Sequence, residues 1–274
     1  SFESVVFFNY SLDGSDNYEY IASGTLIDEE WILTAGHNFF VEGQKEGLAK
    51  VSGIVVYTGN DPNNPDATYE VSELVFHPTW IEQNDVYGFA NDFCLVRLKT
   101  PIENLSTVAL YNDEDESIGS KVWGCGFGDY SSLSGQDPDS YSKKHAFENI
   151  LDRRNTGIES STTGDIYMGG LLAFDFDNPD GSINSLGDNY TSEDELLLGS
   201  GSSTAEALEF ESGTVEGDSG GPLFVKDGDT WKIAGVLSGG LGEPLPDFQD
   251  GNYGDISVYI RVSQSIEWIQ SVIN

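Results

Sequence analysis

Gly217-Asp218-Ser219-Gly220-Gly221-Pro222 is the stretch on which the reading of this chain turns. A serine between glycines, with an acid just before it, fits a tight turn that exposes its hydroxyl while nearby backbone N–H groups point one way. Such a turn holds the parts of an acyl-transfer site. The bland alternative is a Gly-rich β-turn whose serine only caps the chain. Two upstream stretches decide between them. In Thr34-Ala35-Gly36-His37, after the apolar run Trp31-Ile32-Leu33, one of only three histidines stands at the end of an expected strand. In Asn91-Asp92-Phe93-Cys94-Leu95-Val96 an acid precedes an apolar run and is drawn inward as that run is buried. Singly, such a histidine is more often structural, and an acid at the start of a strand is ordinary. In the order His37, Asp92, Ser219 they supply a general base, a group to orient it and a nucleophile.

With T-A-x-H, N-D-φ-x-L and G-D-S-G-G-P in this order, the chain resembles the trypsin-like (chymotrypsin-fold) serine peptidases. The similarity extends to Ser238-Gly239-Gly240, to Val258-Tyr259-Ile260-Arg261-Val262 and to Ile266-Glu267-Trp268-Ile269, and so covers nearly the whole chain. Asp175-Phe176-Asp177-Asn178 and the acid-rich lead-in to the serine resemble secreted bacterial members. The fold this implies is all-β: two six-stranded-type antiparallel β-barrels with a C-terminal α-helix.

The strand pattern agrees with that implication. Val5-Val6-Phe7-Phe8, Tyr20 to Ile27, Trp31 to Thr34, Val51 to Thr58, Tyr69 to Phe76 and Phe93 to Leu98 read as short strands broken by turn clusters. A second set comprises Lys121-Val122-Trp123, Ile150-Leu151, Ile166 to Ala173, Leu223-Phe224-Val225, Lys232 to Leu237 and Ser257 to Val262. Many short strands at this spacing predict a barrel or sandwich. The join falls in the acidic, loosely patterned stretch from Leu105 to Ser120. We therefore divide the chain into an N-terminal barrel (1–116), a C-terminal barrel with a long acidic insertion (117–262) and a closing helix (263–274), together one peptidase domain. In the helix Ile266, Ile269 and Ile273, with Trp268 and Val272, form an apolar stripe, and Ser263 or Ser265 is expected to cap its start.

The 274 residues carry 12 basic and 47 acidic side chains, a net charge of −35. No basic patch is available to neutralise phosphates, which argues against nucleic acid and anionic membranes as partners. Such a surface stays soluble and suits a saline medium that screens its self-repulsion. No run approaches the roughly 18 to 20 apolar residues of a membrane helix, so membrane insertion is not expected. No signal-peptide pattern stands at Ser1, and a mature or trimmed product is expected. The family resemblance and the acidity place the protein outside the cytoplasm, as a secreted monomer acting on proteins or peptides. Cys94 and Cys125 lie in apolar settings and are expected as two buried free thiols rather than a disulfide. Animal members of the family carry a cysteine where Asn38 stands and another where Val215 stands.

The resemblance also assigns roles. Ser219 attacks the scissile carbonyl, His37 carries the proton and Asp92 orients the imidazole. The N–H groups of Gly217 and Ser219 form the oxyanion hole, and a glycine at 217 allows the substrate oxygen to approach closely. Ser238 lies near Asp92, and Gly239-Gly240 offer an edge to an extended substrate. Gly213 falls at the base of the primary pocket, with Thr214 beside it, Gly240 and Ser257 on its walls and Glu216 at the rim. Trypsin-like cleavage after Lys or Arg needs an aspartate at that base. Gly213 supplies none, so a preference for apolar or small uncharged residues is expected, modulated by Glu216 and Asp255 at long range.

In the family the acid before the nucleophile, here Asp218, pairs with an α-amino group freed at an Ile-Val-Gly-Gly start. Ser1-Phe2-Glu3-Ser4 does not match, so either Asp218 uses another cation, with Arg153 or Arg154 as candidates, or the oxyanion loop is not fully ordered. No cofactor is required for this chemistry. Asp175, Asp177 and Asp180 form an oxygen-rich turn of the kind that holds a structural calcium, although Asx-rich turns usually bond to their own backbone. The competing functional class is a catalytically silent binding module of the same fold; the presence of His37, Asp92, Ser219, Gly217 and Ser238 together argues against it. An esterase is the third reading.

Overall fold

The computed structural model describes residues 2–40, 49–83, 90–130, 142–159, 166–187, 197–241 and 251–274, so part of the acidic insertion lies outside the described residues. Six strands form the first sheet: β1 (Val5–Tyr10), β2 (Tyr20–Asp28), β3 (Trp31–Thr34), β4 (Ile54–Thr58), β5 (Ala67–Phe76) and β6 (Cys94–Leu98). Their order is β1-β2-β3-β6-β5-β4, and pairing of β1 with β4 closes the barrel.

Side chains alternate across a strand, which explains why β1, β3 and β6 are apolar at nearly every position. Val6, Phe8, Ile32, Cys94 and Val96 fill the barrel interior. Their neighbours Val5, Phe7, Trp31, Leu33 and Leu95 point the other way, into a cluster shared with the second sheet. A slip of one residue in any of these strands would exchange the two sets.

Ten further strands follow among the described residues: β7 (Ala109–Leu110), β8 (Lys121–Gly126), β9 (His145–Ile150), β10 (Arg153–Arg154), β11 (Gly157–Glu159), β12 (Ile166–Met168), β13 (Leu171–Asp175), β14 (Pro222–Asp227), β15 (Thr230–Leu241) and β16 (Ile256–Arg261). The second sheet runs β10-β13-β16-β15-β14-β8-β9, with β7 added parallel to β15, while β11 and β12 pair as a separate two-stranded unit. Val122, Phe147, Leu172, Phe174, Leu223, Leu237 and Tyr259 make its own core. On the opposite face Leu171, Ala173, Phe224, Ile233, Val236, Val258 and Ile260 meet the first barrel. This is the chymotrypsin architecture of two antiparallel barrel-like sheets, one closed and one a half-barrel.

Three local expectations are revised. Ile166 to Ala173 is two strands, because Gly169 adopts φ 109° and breaks the run. β4 starts at Ile54, after a turn of 3₁₀ helix at Val51–Gly53. The closing helix, which follows the short helix α1 (Pro78–Gln83) as α2 (Ile266–Ile273), is not capped by a serine side chain. Ser263 instead donates to Glu116 Oε1 at 2.7 Å, where a buried carboxylate needs it more. Helix α2 buries Ile269, and its Trp268 ring lies 6.2 Å from that of Phe93, immediately after Asp92.

Candidate active site

His37 leaves the end of β3 on a single 3₁₀ turn, His37–Phe39. The approach is tight: a Cβ at Gly36 would sit 3.0 Å from Asp92 Oδ1 and 3.1 Å from the Trp80 ring. Asp92 comes from the loop ahead of β6, where Asn91 holds a left-handed conformation (φ 56°) of the kind asparagine tolerates best. Fully buried, its carboxylate accepts the His37 backbone N–H at 2.8 Å on Oδ1. Oδ2 lies 2.6 Å from His37 Nδ1 and accepts Ser238 Oγ at 2.5 Å. Ser238 is aimed there by a bulge: the β15–β16 register shifts between Leu237 and Gly239, which leaves Ser238 as the extra residue. A buried carboxylate only accepts, so Nδ1 carries the hydrogen and Nε2 keeps its lone pair for other work. Burial lowers the His37 pKa, but the adjacent Asp92 charge and hydrogen bond outweigh it, and the net direction is upward.

Ser219 sits on a turn fixed from three sides. Gly220 N–H donates to Leu237 O at 2.8 Å, and Gly221 N–H to Asp218 O at 2.8 Å. From the first barrel, Ser23 N–H and Asn38 Nδ2 both donate to Ser219 O, at 2.9 and 3.2 Å, while Ser23 Oγ donates to Gly217 O at 2.9 Å. Glycine is required at 220, where φ is 84° and a Cβ would lie 2.0 Å from Thr34 Oγ1. Neither Gly217 N–H nor Ser219 N–H meets an acceptor among the described residues, and neither Ser219 Oγ nor His37 Nε2 is engaged there. The turn thus presents two open donors next to a hydroxyl, with the histidine one residue from Asn38.

A cleft of about 290 Å³ opens beside Ser219. Thr214, Glu216, Gly239, Gly240 and Ser257 line it, together with Asp255. Thr214 Oγ1 and Ser257 Oγ are 3.0 Å apart. Gly213 is buried and does not reach the cleft surface; a Cβ there would meet Phe176 and Asp255 at 3.6 and 3.7 Å.

Asp218 finds neither arginine. Its Oδ1 accepts Gly128 N–H at 2.8 Å, and its Oδ2 accepts Tyr130 O–H at 2.8 Å and Val215 N–H at 3.1 Å. Burial pushes its pKa upward against these three donors. Arg153 donates instead to the carbonyls of Asp152, Leu186 and Ser202, and Arg154 to that of Glu116.

The expected calcium ligands do not converge. Asp180 Oδ1 accepts Asn178 Nδ2 and Ser182 N–H within its own turn. Asp175 accepts Leu186 N–H and Ser203 Oγ, and no set of three or more His, Cys, Asp or Glu side chains is gathered for a metal among the described residues. Asp175 faces Asp152, whose pKa is pushed to about 8 by burial and then by the Asp175 charge. Asp177 is also pushed to about 8, by burial and then by Asp175 and Glu211. Both cysteines are buried and free.

Sequence reasoning passed over Tyr130 and Ser23. Nothing in local pattern marks either one, because each acts on residues about 90 to 190 positions away. The available signal was the replacement of cysteine by Asn38, whose amide now reaches Ser219.

The sequence matches the family profile described as Trypsin over residues 3–165 and 188–269. It is 24% identical over 259 residues to the human Transmembrane protease serine 5, which covers 92% of this chain and 46% of that protein. Against Complement C1s subcomponent the identity is 26% over 254 residues for the Rattus norvegicus protein, covering 90% of this chain and 31% of the relative. For the Sus scrofa protein it is 39% over 106 residues, 36% of this chain and 15% of the relative. The chain thus spans less than half the length of these curated relatives. With the two-sheet fold and a match to most of its residues, the chain belongs to the trypsin family of serine peptidases.

Proposed function

We propose that the chain is a serine endopeptidase that cleaves peptide bonds through His37, Asp92 and Ser219. One observation carries this reading: a buried Asp92 holds His37 by both its backbone and ring nitrogens, while beside the nucleophile the N–H groups of Gly217 and Ser219 meet no acceptor among the described residues. In this reaction His37 Nε2 takes the Ser219 proton as Oγ attacks the carbonyl carbon. The developing oxyanion is received by the two open N–H groups, whose loss typically costs roughly 10²- to 10³-fold each. His37, now an imidazolium beside Asp92, gives its proton to the leaving amine, and water then releases the acyl-enzyme by the same steps.

The cleft adjoining Ser219 supports a preference for apolar or small uncharged side chains. Its inner wall offers the Thr214–Ser257 hydroxyl pair, and its acids, Glu216 and Asp255, disfavour acidic residues by like charge. The chemistry needs no cofactor. The substrates are proteins or peptides met outside the cytoplasm, and the enzyme acts as a monomer.

The test is fluorophosphonate labelling and peptide-library cleavage by this chain beside Ser219→Ala. Labelling and cleavage that vanish in the variant are expected. A parent chain that neither labels nor cleaves, yet binds a partner protein, would overturn the enzyme reading in favour of a silent module.

A further inference from the structure

The carboxylate of Asp218 is 2% exposed and immediately precedes the nucleophile, yet among the described residues every hydrogen bond it receives comes from a neutral group. The segment that delivers these donors is moulded around it. A Cβ at Gly126 would lie 2.2 Å from Oδ1, and one at Gly128 would lie 2.6 Å from Oδ2 and 2.4 Å from Val215 Cγ2. Two residues on, the Tyr130 ring packs 4.6 Å from that of His145 and forms part of the wall of an aromatic groove of about 630 Å³ with Phe147, Phe176 and Phe210. Its hydroxyl is 2.8 Å from Asp218 Oδ2 and 3.2 Å from Gly213 O. A phenol has one hydrogen, and it goes to the charged oxygen, the stronger acceptor. Tyr130 therefore stands between the turn that carries the open N–H groups and the start of the cleft wall at residues 213–215.

The turn needs such a hold. Gly217 adopts φ 96°, a conformation that glycine enters and leaves with little resistance. What fixes its peptide is Ser23 on the carbonyl side and the anchored Asp218 on the other. If the Asp218 side chain moved, the Gly217 and Ser219 N–H groups would lose their common aim.

We propose that Tyr130 is the positioning residue of the oxyanion turn: its phenol, with the N–H groups of Gly128 and Val215, anchors the Asp218 carboxylate by hydrogen bonds from neutral donors. The His145 ring adds only a through-space attraction. This role rests on the peptidase reading above and deepens it. Tyr130 acts through Asp218.

The experiment compares the parent chain with Tyr130→Phe, Asp218→Asn and the double variant. Four quantities are read: kcat and KM on a cleaved peptide, affinity for a peptide boronate that mimics the tetrahedral intermediate, and melting temperature. Phenylalanine keeps the ring packing on His145 and removes only the donor. In Tyr130→Phe, kcat and boronate affinity should fall together, by about 10- to 100-fold for one lost bond to a charged group, while KM stays within about threefold. In the Asp218→Asn background the same change should cost nothing further, because the two residues act as one unit. Asp218→Asn alone, close in shape to the parent, must show the same split and keeps the role testable if Tyr130→Phe does not fold. The proposal is overturned if Tyr130→Phe retains kcat within about twofold while only its melting temperature drops, or if the two effects multiply. A parent chain that fluorophosphonate does not label sinks the peptidase reading and this role with it; a labelled parent with a fully active Tyr130→Phe sinks the anchoring role alone.

Discussion

Arg261 and Glu116 are both essentially inaccessible, at 0 and 1% exposure, and their pairing is the feature of this structure whose energy is most open to measurement. The guanidinium meets Glu116 Oε2 at 2.5 Å and Oε1 at 3.3 Å, and also donates to Asn155 O at 2.8 Å. Ser263 completes the carboxylate. Because β16 carries Arg261 and Glu116 lies in the segment leading from the first barrel to β8, the pair ties that segment to the second sheet. Arg261→Met removes the cation and leaves Glu116 with one hydroxyl, so the loss should be that of a broken buried pair, about 3–5 kcal/mol. For a chain of this size that lowers the melting temperature by roughly 6–20 °C. The double variant Arg261→Met/Glu116→Leu should recover most of this, since replacing both charges is often neutral.

Calorimetric melts of the parent, Arg261→Met, Glu116→Leu and the double variant, each run at about 0.05 M and about 1 M salt, make the test, because screening reaches exposed charges far more than buried ones. Salt should raise every melting temperature by relieving the self-repulsion of the −35 charge, but leave the Arg261→Met difference unchanged. The exposed pair Arg97–Glu30, with side chains 46 and 40% exposed, should behave in the opposite way. A cost below about 1 kcal/mol for Arg261→Met, or a double variant as unstable as the sum of its parts, would refute the reasoning.

The remaining predictions concern the site and its surroundings. Asp92→Asn should lower kcat by about 10⁴-fold through the wrong imidazole tautomer. Because Asp92 is what raises His37, the limb on which kcat/KM rises with pH should move to lower pH in that variant; a limb that stays put in the pH–rate profile would count against the assignment. Gly220→Ala forces a Cβ against Thr34 Oγ1 at a positive φ, and should cost roughly 2–5 kcal/mol while slowing fluorophosphonate labelling; unchanged melting and labelling would disprove the close fit. The raised carboxyls of Asp152 and Asp177 imply that stability, fully present near the ordinary carboxyl value, is lost as pH rises towards about 8, since the folded state binds the extra protons. Urea melts across that range should show Asp152→Asn flatter than the parent and more stable at the alkaline end.

How much of this was legible in sequence follows from the range of each interaction. The strands of the first barrel announce themselves because β1, β3 and β6 bury both faces and read as nearly continuous apolar runs. β9, His-Ala-Phe-Glu-Asn-Ile, buries fully only Phe147 and Asn149, lies at the end of its sheet, and so shows only its last residue to a hydrophobic scan. His37, Asp92 and Ser219 stand in short motifs that fix their own backbone and could be read locally. Their supports could not: Tyr130, Ser23 and the bulge at Ser238 exist only once distant segments have come together. The partner of Asp218 was sought among cations because a buried charge suggests one, and three convergent neutral donors are invisible to that logic.

The links that bind the nucleophile turn to the first barrel come from Ser23 and Asn38, and Thr34 braces both. All are hydrogen bonds, and the two thiols of the chain lie apart and buried, with burial holding Cys125 up to about 12. A fold whose active-site cross-ties contain no sulfur has nothing for a reductant to cut. If the proposed activity holds, turnover and melting should therefore be indifferent to millimolar dithiothreitol, and the chain would move between oxidising and reducing surroundings unchanged; a loss of either on reduction would show that some other bond holds the site together.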